Sequence, residues 1–242
     1  MAVFDVHDYV ERRLPMQCCA HRGLSGLYPE NTLLSFTKAI EIQVDLIEFD
    51  VRISKDKKLV VIHDSRVDRT TDGSGLVSEL TFQELRALNA GWGETIPAFE
   101  EVIDELSGRV GMNIHMKNSG KALDMAIQHC RKAGILDNTF FAIEPFDEIK
   151  RIKETYPNVH ICSLFRKGDY LEAAQQLNVR ILQPAIYAKY FTKDWVDQVH
   201  QVECVCGVFY ADTVSNILYC QRLGVDAILT NYSNTFLQNL RS

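Results

Sequence analysis

Short apolar runs rich in β-branched and aromatic residues alternate along this chain with longer stretches of helical period, and that rhythm limits the fold more than any other feature. The runs are 17–20, 46–51, 59–62, 112–116, 139–143, 159–165, 179–183, 204–209 and 227–230. Between most of them lie amphipathic stretches of ten to fifteen residues, such as 121–131, 146–154, 169–177, 193–201 and 213–223. Asn31-Thr32 can cap a helix whose Leu33, Phe36 and Ile40 share one face. Strands alternating with helices imply parallel βαβ units. Eight or nine such units in 242 residues fit a closed (β/α)8 TIM barrel near the small end of its size range. An open doubly wound sheet would often carry a glycine-rich turn after its first strand, and the sequence contains neither GxGxxG nor a P-loop. The rhythm uses the chain up as one domain over 1–242. The polar, turn-rich stretch at about 64–97 reads as an insertion after the second strand region, lying over the face where barrel enzymes place their sites.

Composition excludes several function classes. The charge at pH 7 is -6, from 26 basic and 32 acidic residues, which disfavours nucleic acid as a partner. Residues 1–120 hold 13 basic and 19 acidic side chains and residues 121–242 hold 13 of each, so the whole excess lies in the first half. The first sixteen residues mix charged with apolar side chains and contain no run of signal-peptide length. No stretch approaches the roughly 20 apolar residues of a transmembrane segment. The expectation is a cytoplasmic protein. The seven cysteines form no CxxC pair, which argues for reduced, buried thiols over a zinc knuckle.

Three constellations carry chemistry. In Leu46-Ile47-Glu48-Phe49-Asp50 a strand would point Glu48 and Asp50 to one face, at the end where barrels bind ligands. Converging carboxylates repel unless a cation joins them, so a divalent metal is the economical reading, with two ordinary surface acids as the alternative. His21 and His63 each follow an apolar run and suggest an acid and a base flanking a scissile bond. Arg22, beside His21, is a forked donor suited to phosphate. In 112–117, Asn113, His115 and Lys117 share one face, which is costly to bury unless it binds something. Cation, arginine and lysine together point to an anionic small-molecule substrate. The two histidines point to transfer or hydrolysis of its phosphate ester.

These strings resemble the glycerophosphodiester phosphodiesterase family. The matching text is His21-Arg22-Gly23, Pro29-Glu30-Asn31-Thr32, Glu48-Phe49-Asp50, Val60-Val61-Ile62-His63-Asp64, the run from Asp68 to Gly75, and Pro97 with Glu100-Glu101. The resemblance implies a metal-dependent TIM-barrel enzyme that cleaves glycerophosphodiesters, such as those of choline or ethanolamine, to sn-glycerol 3-phosphate and an alcohol. It implies His21 and His63 as the acid/base pair, Glu48 and Asp50 as metal ligands, and Arg22 and Lys117 as phosphate-binding. A mechanism proposed for the family has the neighbouring glycerol hydroxyl attack phosphorus, giving a cyclic phosphate that water opens. The resemblance leaves open a lysophospholipase D-like or cyclising phosphodiesterase, and a non-catalytic barrel that binds glycerophosphodiesters.

The chain departs from the family pattern at four places. His115 stands where a third metal-binding glutamate is usual, Phe209 where a tryptophan is expected, Asn231-Tyr232-Ser233 in place of Asp-Tyr-Pro, and Pro145-Phe146 in place of Ser-Phe. A nitrogen ligand at 115 is expected to shift preference from the family's Mg or Ca toward Mn, Zn, Co or Ni.

Overall fold

A computed structural model of the chain describes residues 4–164 and 170–241. Phe165 and Asp169, end residues of two predicted segments, lie outside them. The first element is a short helix, α1 (Val6–Val10), capped by Asp5, whose side chain accepts from the backbone N–H groups of His7 and Asp8. The strands are β1 (Gln17–His21), β2 (Leu46–Ile53), β3 (Leu59–Val61), β4 (Gly111–Met116), β5 (Thr139–Ile143), β6 (Ile161–Ser163), β7 (Ile181–Leu182), β8 (Val205–Phe209) and β9 (Ala227–Thr230). The helices between them are α2 (Leu33–Glu41), α3 (Phe82–Arg86), α4 (Phe99–Leu106), α5 (Lys121–Ala133), α6 (Phe146–Thr155), α7 (Tyr170–Gln176), α8 (Lys193–Gln201) and α9 (Val214–Leu223), with α10 (Ser233–Leu240) last.

Eight strands, β1, β2 and β4 to β9, pair in parallel, and β1 closes the ring by pairing with both β9 and β2. The predicted (β/α)8 barrel is therefore formed. One predicted strand behaves differently. β3 pairs antiparallel with β2, with Val51 opposite Val61. Only residues 54–58 connect the two, far fewer than the dozen or more a parallel crossover needs, so the connection closes as a hairpin. His63 thus follows a return strand outside the parallel ring, not a barrel strand equivalent to β1.

Period-2 alternation sorts each barrel strand into two faces. Outward residues such as Cys18, Ile47, Phe49, Met112 and Ile114 are fully buried against the helices, in one large cluster with Phe36, Phe99 and Ile127. Inward residues form a second cluster, including Cys19, Leu46, Phe140, Ile181 and Val205, to which Phe4 and, from α1, Val6, Tyr9 and Val10 are added. The amino-terminal segment thereby seals the barrel end away from the site. Segment 64–97 has its own small core, in which Val67, Val77, Leu85 and Ile96 join Val60 and Ile62, with Leu80 and Phe82 packed against them.

Candidate active site

The carboxyl ends of β1, β2 and β4 bring three constellations together. Strand register sets His21 beside Glu48, Glu48 beside Asn113, and Asp50 beside His115. Glu48, Asp50 and His115 each present one donor atom, and these atoms lie within 4.8 Å of one another. Asp50 is fully buried. Its Oδ2 accepts from Asn31 Nδ2 at 3.0 Å and lies 3.1 Å from Arg22 Nε. Its Oδ1 lies 2.9 Å from Lys117 Nζ and 3.3 Å from His115 Nδ1. No donor among the described residues is aligned on that oxygen for a hydrogen bond. Two carboxylates and an imidazole nitrogen whose donor atoms converge this closely form a donor set that fits a divalent ion of the borderline class.

Electrostatics follow from these contacts. Burial pushes the Asp50 carboxyl up, but His115, Lys117 and Arg22 outweigh it and hold it well below the usual carboxylate range. For His115, burial pulls the imidazole down, yet Asp50 and Glu48 more than compensate and raise it. Glu48 and Asp50 are balanced in number by Arg22 and Lys117, so a divalent cation would leave this inner group with net positive charge, complementary to a phosphodiester.

The backbone around Arg22 is shaped for this. Arg22 has φ of 57°, and its N–H donates to Glu48 Oε2 at 3.1 Å. Gly23 follows at φ 80°, where a Cβ would sit within 2.4 Å of Ser35 Oγ, so a side chain is excluded. From Arg22 a ladder of alternating charge runs outward. Arg22 donates to Glu30 at 2.8 Å, Arg69 grips Glu30 with two bonds of 2.7 and 2.9 Å, and Arg69 Nε donates to Asp64 at 2.6 Å. Asp64 in turn lies 2.6 Å from His63 Nδ1. Bonds from Arg69, helped by His63 against partial burial, depress the Asp64 carboxyl to about 2, so it is ionised at neutral pH and can only accept. His63 therefore donates through Nδ1. Burial lowers its pKa below the ordinary imidazole value despite the opposing pull of Asp50 and Asp64.

His21 is 6% exposed and its Nε2 lies 3.8 Å from Glu48 Oε2, while the Tyr210 ring packs on it at 4.4 Å. His21 and His63 line one cavity of about 120 Å³ with Arg22, Glu48, His115 and Lys117. The rest of its lining is mixed: Ala142, Leu164, Phe209 and Leu229 are apolar, and Asn113, Gln183 and Tyr210 add polar groups. A larger cavity of about 450 Å³ lies at the opposite end of the barrel beside Asp5, Gln17 and Arg109. That end carries none of the constellations above, so size does not identify the site.

Every site residue anticipated from the sequence lies at this mouth. Several that matter were overlooked. Asn31 holds Asp50 from both sides, since its Oδ1 also accepts the Asp50 N–H at 3.3 Å. Glu30, Asp64 and Arg69 form the ladder, and Asn231 lies 2.7 Å from His21 Nδ1. All but Asp212, which backs Asn231, lie in motif strings already singled out, and those strings were the available signal.

Comparison with known proteins decides the family. The model of the glycerophosphoryl diester phosphodiesterase family matches residues 21–235. The chain belongs to that family. It is 32% identical over 237 residues to a glycerophosphodiester phosphodiesterase of Bacillus altitudinis, covering 88% of this chain and 93% of that one. To that of Caldanaerobacter subterraneus subsp. tengcongensis it is 31% identical over 237 residues, covering 92% and 96%. Its fold is similar to an Oleispira antarctica phosphodiesterase solved in complex with the product sn-glycerol-3-phosphate, with TM-score 0.84, 25% identity, and 96% and 99% of the chains covered. The chain is thus a phosphoric diester hydrolase of the glycerophosphodiester phosphodiesterase type. Among the described residues, no helix is long and apolar enough to cross a membrane.

Proposed function

We propose that this enzyme hydrolyses glycerophosphodiesters to sn-glycerol 3-phosphate and an alcohol, with a divalent ion held by Glu48, Asp50 and His115. The observation that carries the reading is the single small cavity lined by both histidines, Arg22, Lys117, Glu48 and His115. A divalent ion bound there supplies positive charge that acidifies a hydroxyl and offsets charge on phosphate.

The protein's own groups do the rest. Arg22 and Lys117 bind the non-bridging phosphoryl oxygens, strengthening as charge develops on them. His63, with its depressed pKa and its Nδ1 proton committed to Asp64, presents Nε2 for proton transfer. His21 presents its own Nε2 to the same cavity. One imidazole takes the proton of the attacking hydroxyl while the other protonates the departing alkoxide, and a second proton exchange resets both. The confined cavity holds the reacting groups near each other, which favours attack by the adjacent glycerol hydroxyl and a cyclic phosphate opened by water. No residue of segment 64–97 lines this cavity, and Leu80 and Phe82 pack into that segment's own core.

Release of glycerol phosphate from glycerophosphocholine, measured across Mg, Ca, Mn, Zn, Co and Ni, tests the proposal. Turnover is expected to be greatest with the metals that accept nitrogen, and His115→Glu is expected to shift preference toward Mg or Ca. Absence of metal-dependent release across a panel of glycerophosphodiesters would overturn it. Ligand binding without turnover, unchanged by His21→Ala, would instead identify a binding barrel.

A further inference from the structure

The hydrogen bonds behind His21 fix its tautomer. Asn231 directly follows β9, which pairs with β1 so that Thr230 lies opposite Ala20. Its Nδ2 is 2.6 Å from Asp212 Oδ2, and its own N–H donates to Asp212 Oδ1 at 2.8 Å. Thr230 Oγ1 donates to the same oxygen at 2.9 Å. A carboxylate only accepts, so the end of the Asn231 amide facing Asp212 must be its NH2 group. The other end, 2.7 Å from His21 Nδ1, is therefore the carbonyl oxygen, which also only accepts. His21 must donate through Nδ1, leaving Nε2, 3.8 Å from Glu48 Oε2, without that proton.

We propose that Asn231 and Asp212 are positioning residues that lock His21 as the Nδ1–H tautomer. The idea rests on the acid/base role of His21 and adds what holds that role in place. A neutral imidazole free to exchange tautomers would spend part of its time with a proton on Nε2, unable to accept one. Asn231 removes that state by giving Nδ1–H its acceptor. Asp212 keeps the amide from flipping, because a flipped amide would turn its carbonyl oxygen toward the carboxylate and its NH2 toward Nδ1. Ser25 adds support, with Oγ 2.6 Å from the His21 carbonyl and 2.9 Å from Asn231 Oδ1. The acceptor is an amide, so it orients the ring without placing a full negative charge against it. His63, by contrast, has the Asp64 carboxylate in the same position.

The test is a nitrogen-15 spectrum of histidine-labelled full-length enzyme, with His21 assigned by its loss in His21→Gln. Neutral His21 is expected to show a pyrrole-type Nδ1 and a pyridine-type Nε2. Asn231→Ala is expected to mix the tautomers and lower kcat by about 10–100-fold, part of the ~10²–10⁴ that a positioned acid/base group supplies, with KM changed less than about twofold. Asp212→Ala, which removes the partner holding the amide, should give a smaller loss than Asn231→Ala. A pyridine-type Nδ1 in the wild-type spectrum overturns the proposal without any variant. So does Asn231→Ala with unchanged tautomer and kcat. Unchanged turnover in His21→Ala would instead overturn the catalytic reading, while the tautomer spectrum stands independently of activity.

Discussion

The two halves of the barrel share one backbone plan and carry unequal chemistry. β1, β2 and β4, with the β3 return strand, place charge at the mouth: His21, Arg22, Glu48, Asp50, His63, His115 and Lys117. β5 to β9 answer with uncharged side chains: Ala142, Leu164, Phe209 and Leu229, joined by Gln183 and Tyr210. The excess of acid in residues 1–120 has the same origin only in part, since Glu48 and Asp50 are matched locally by Arg22 and Lys117. A barrel lets each half act differently because its strands converge on one cavity. In the proposed reaction the first half would grip a phosphate and a cation, and the second would offer a largely uncharged surface to the rest of the substrate. Support for the two histidines crosses this divide. His63 is held within the first half by Asp64, whereas His21 leans on Asn231 from the second.

If the division holds, substitutions should rank by half. The largest loss is expected from His21→Ala or His63→Ala, about 10²–10⁴-fold in kcat, read in initial-rate assays at saturating metal. Lys117→Met comes next. Loss of a charge-assisted contact to phosphate is worth about 1.5–3 kcal/mol, or roughly ten- to hundredfold in kcat/KM. An equally large loss from a β5–β9 apolar substitution would break the comparison.

A smaller effect sharpens it through pH. Arg69→Gln removes the positive charge that compensates Asp64, so the field at His63 becomes more negative. A more negative field favours imidazolium, which raises the depressed pKa of His63 back toward its ordinary value. The limb of the pH–rate profile that reports His63 should move to higher pH, and a limb that stays still or moves down would contradict the ladder. The smallest effect is expected from Phe209→Trp in the second half. It should change the preference among glycerophosphodiesters with different alcohols by less than about tenfold and leave the metal profile unchanged.

The first half was readable because alternation alone set Glu48 with Asp50, and Asn113 with His115 and Lys117, on common faces. The direction of β3 was also encoded, in the brevity of residues 54–58, but a rhythm of apolar runs does not distinguish a return strand from a barrel strand. α1 was missed as a helix, although Val6, Tyr9 and Val10 have helical spacing, because five residues give a periodic pattern too little length. The support of His21 was unreadable for another reason. Asn231 and Asp212 reach a residue about two hundred positions earlier, and only closure of the ring by β9 against β1 brings them there.

One measurement bears most directly on the central claim, that this mouth is a metal-assisted two-histidine phosphodiesterase site. Chelator-treated enzyme is assayed for glycerol phosphate release from glycerophosphocholine, then reassayed after addition of Mn or Zn, alongside Asp50→Asn. The account predicts little release without metal, recovery on addition, and no recovery in Asp50→Asn. Full release by the stripped enzyme, or recovery by Asp50→Asn equal to wild type, would contradict it.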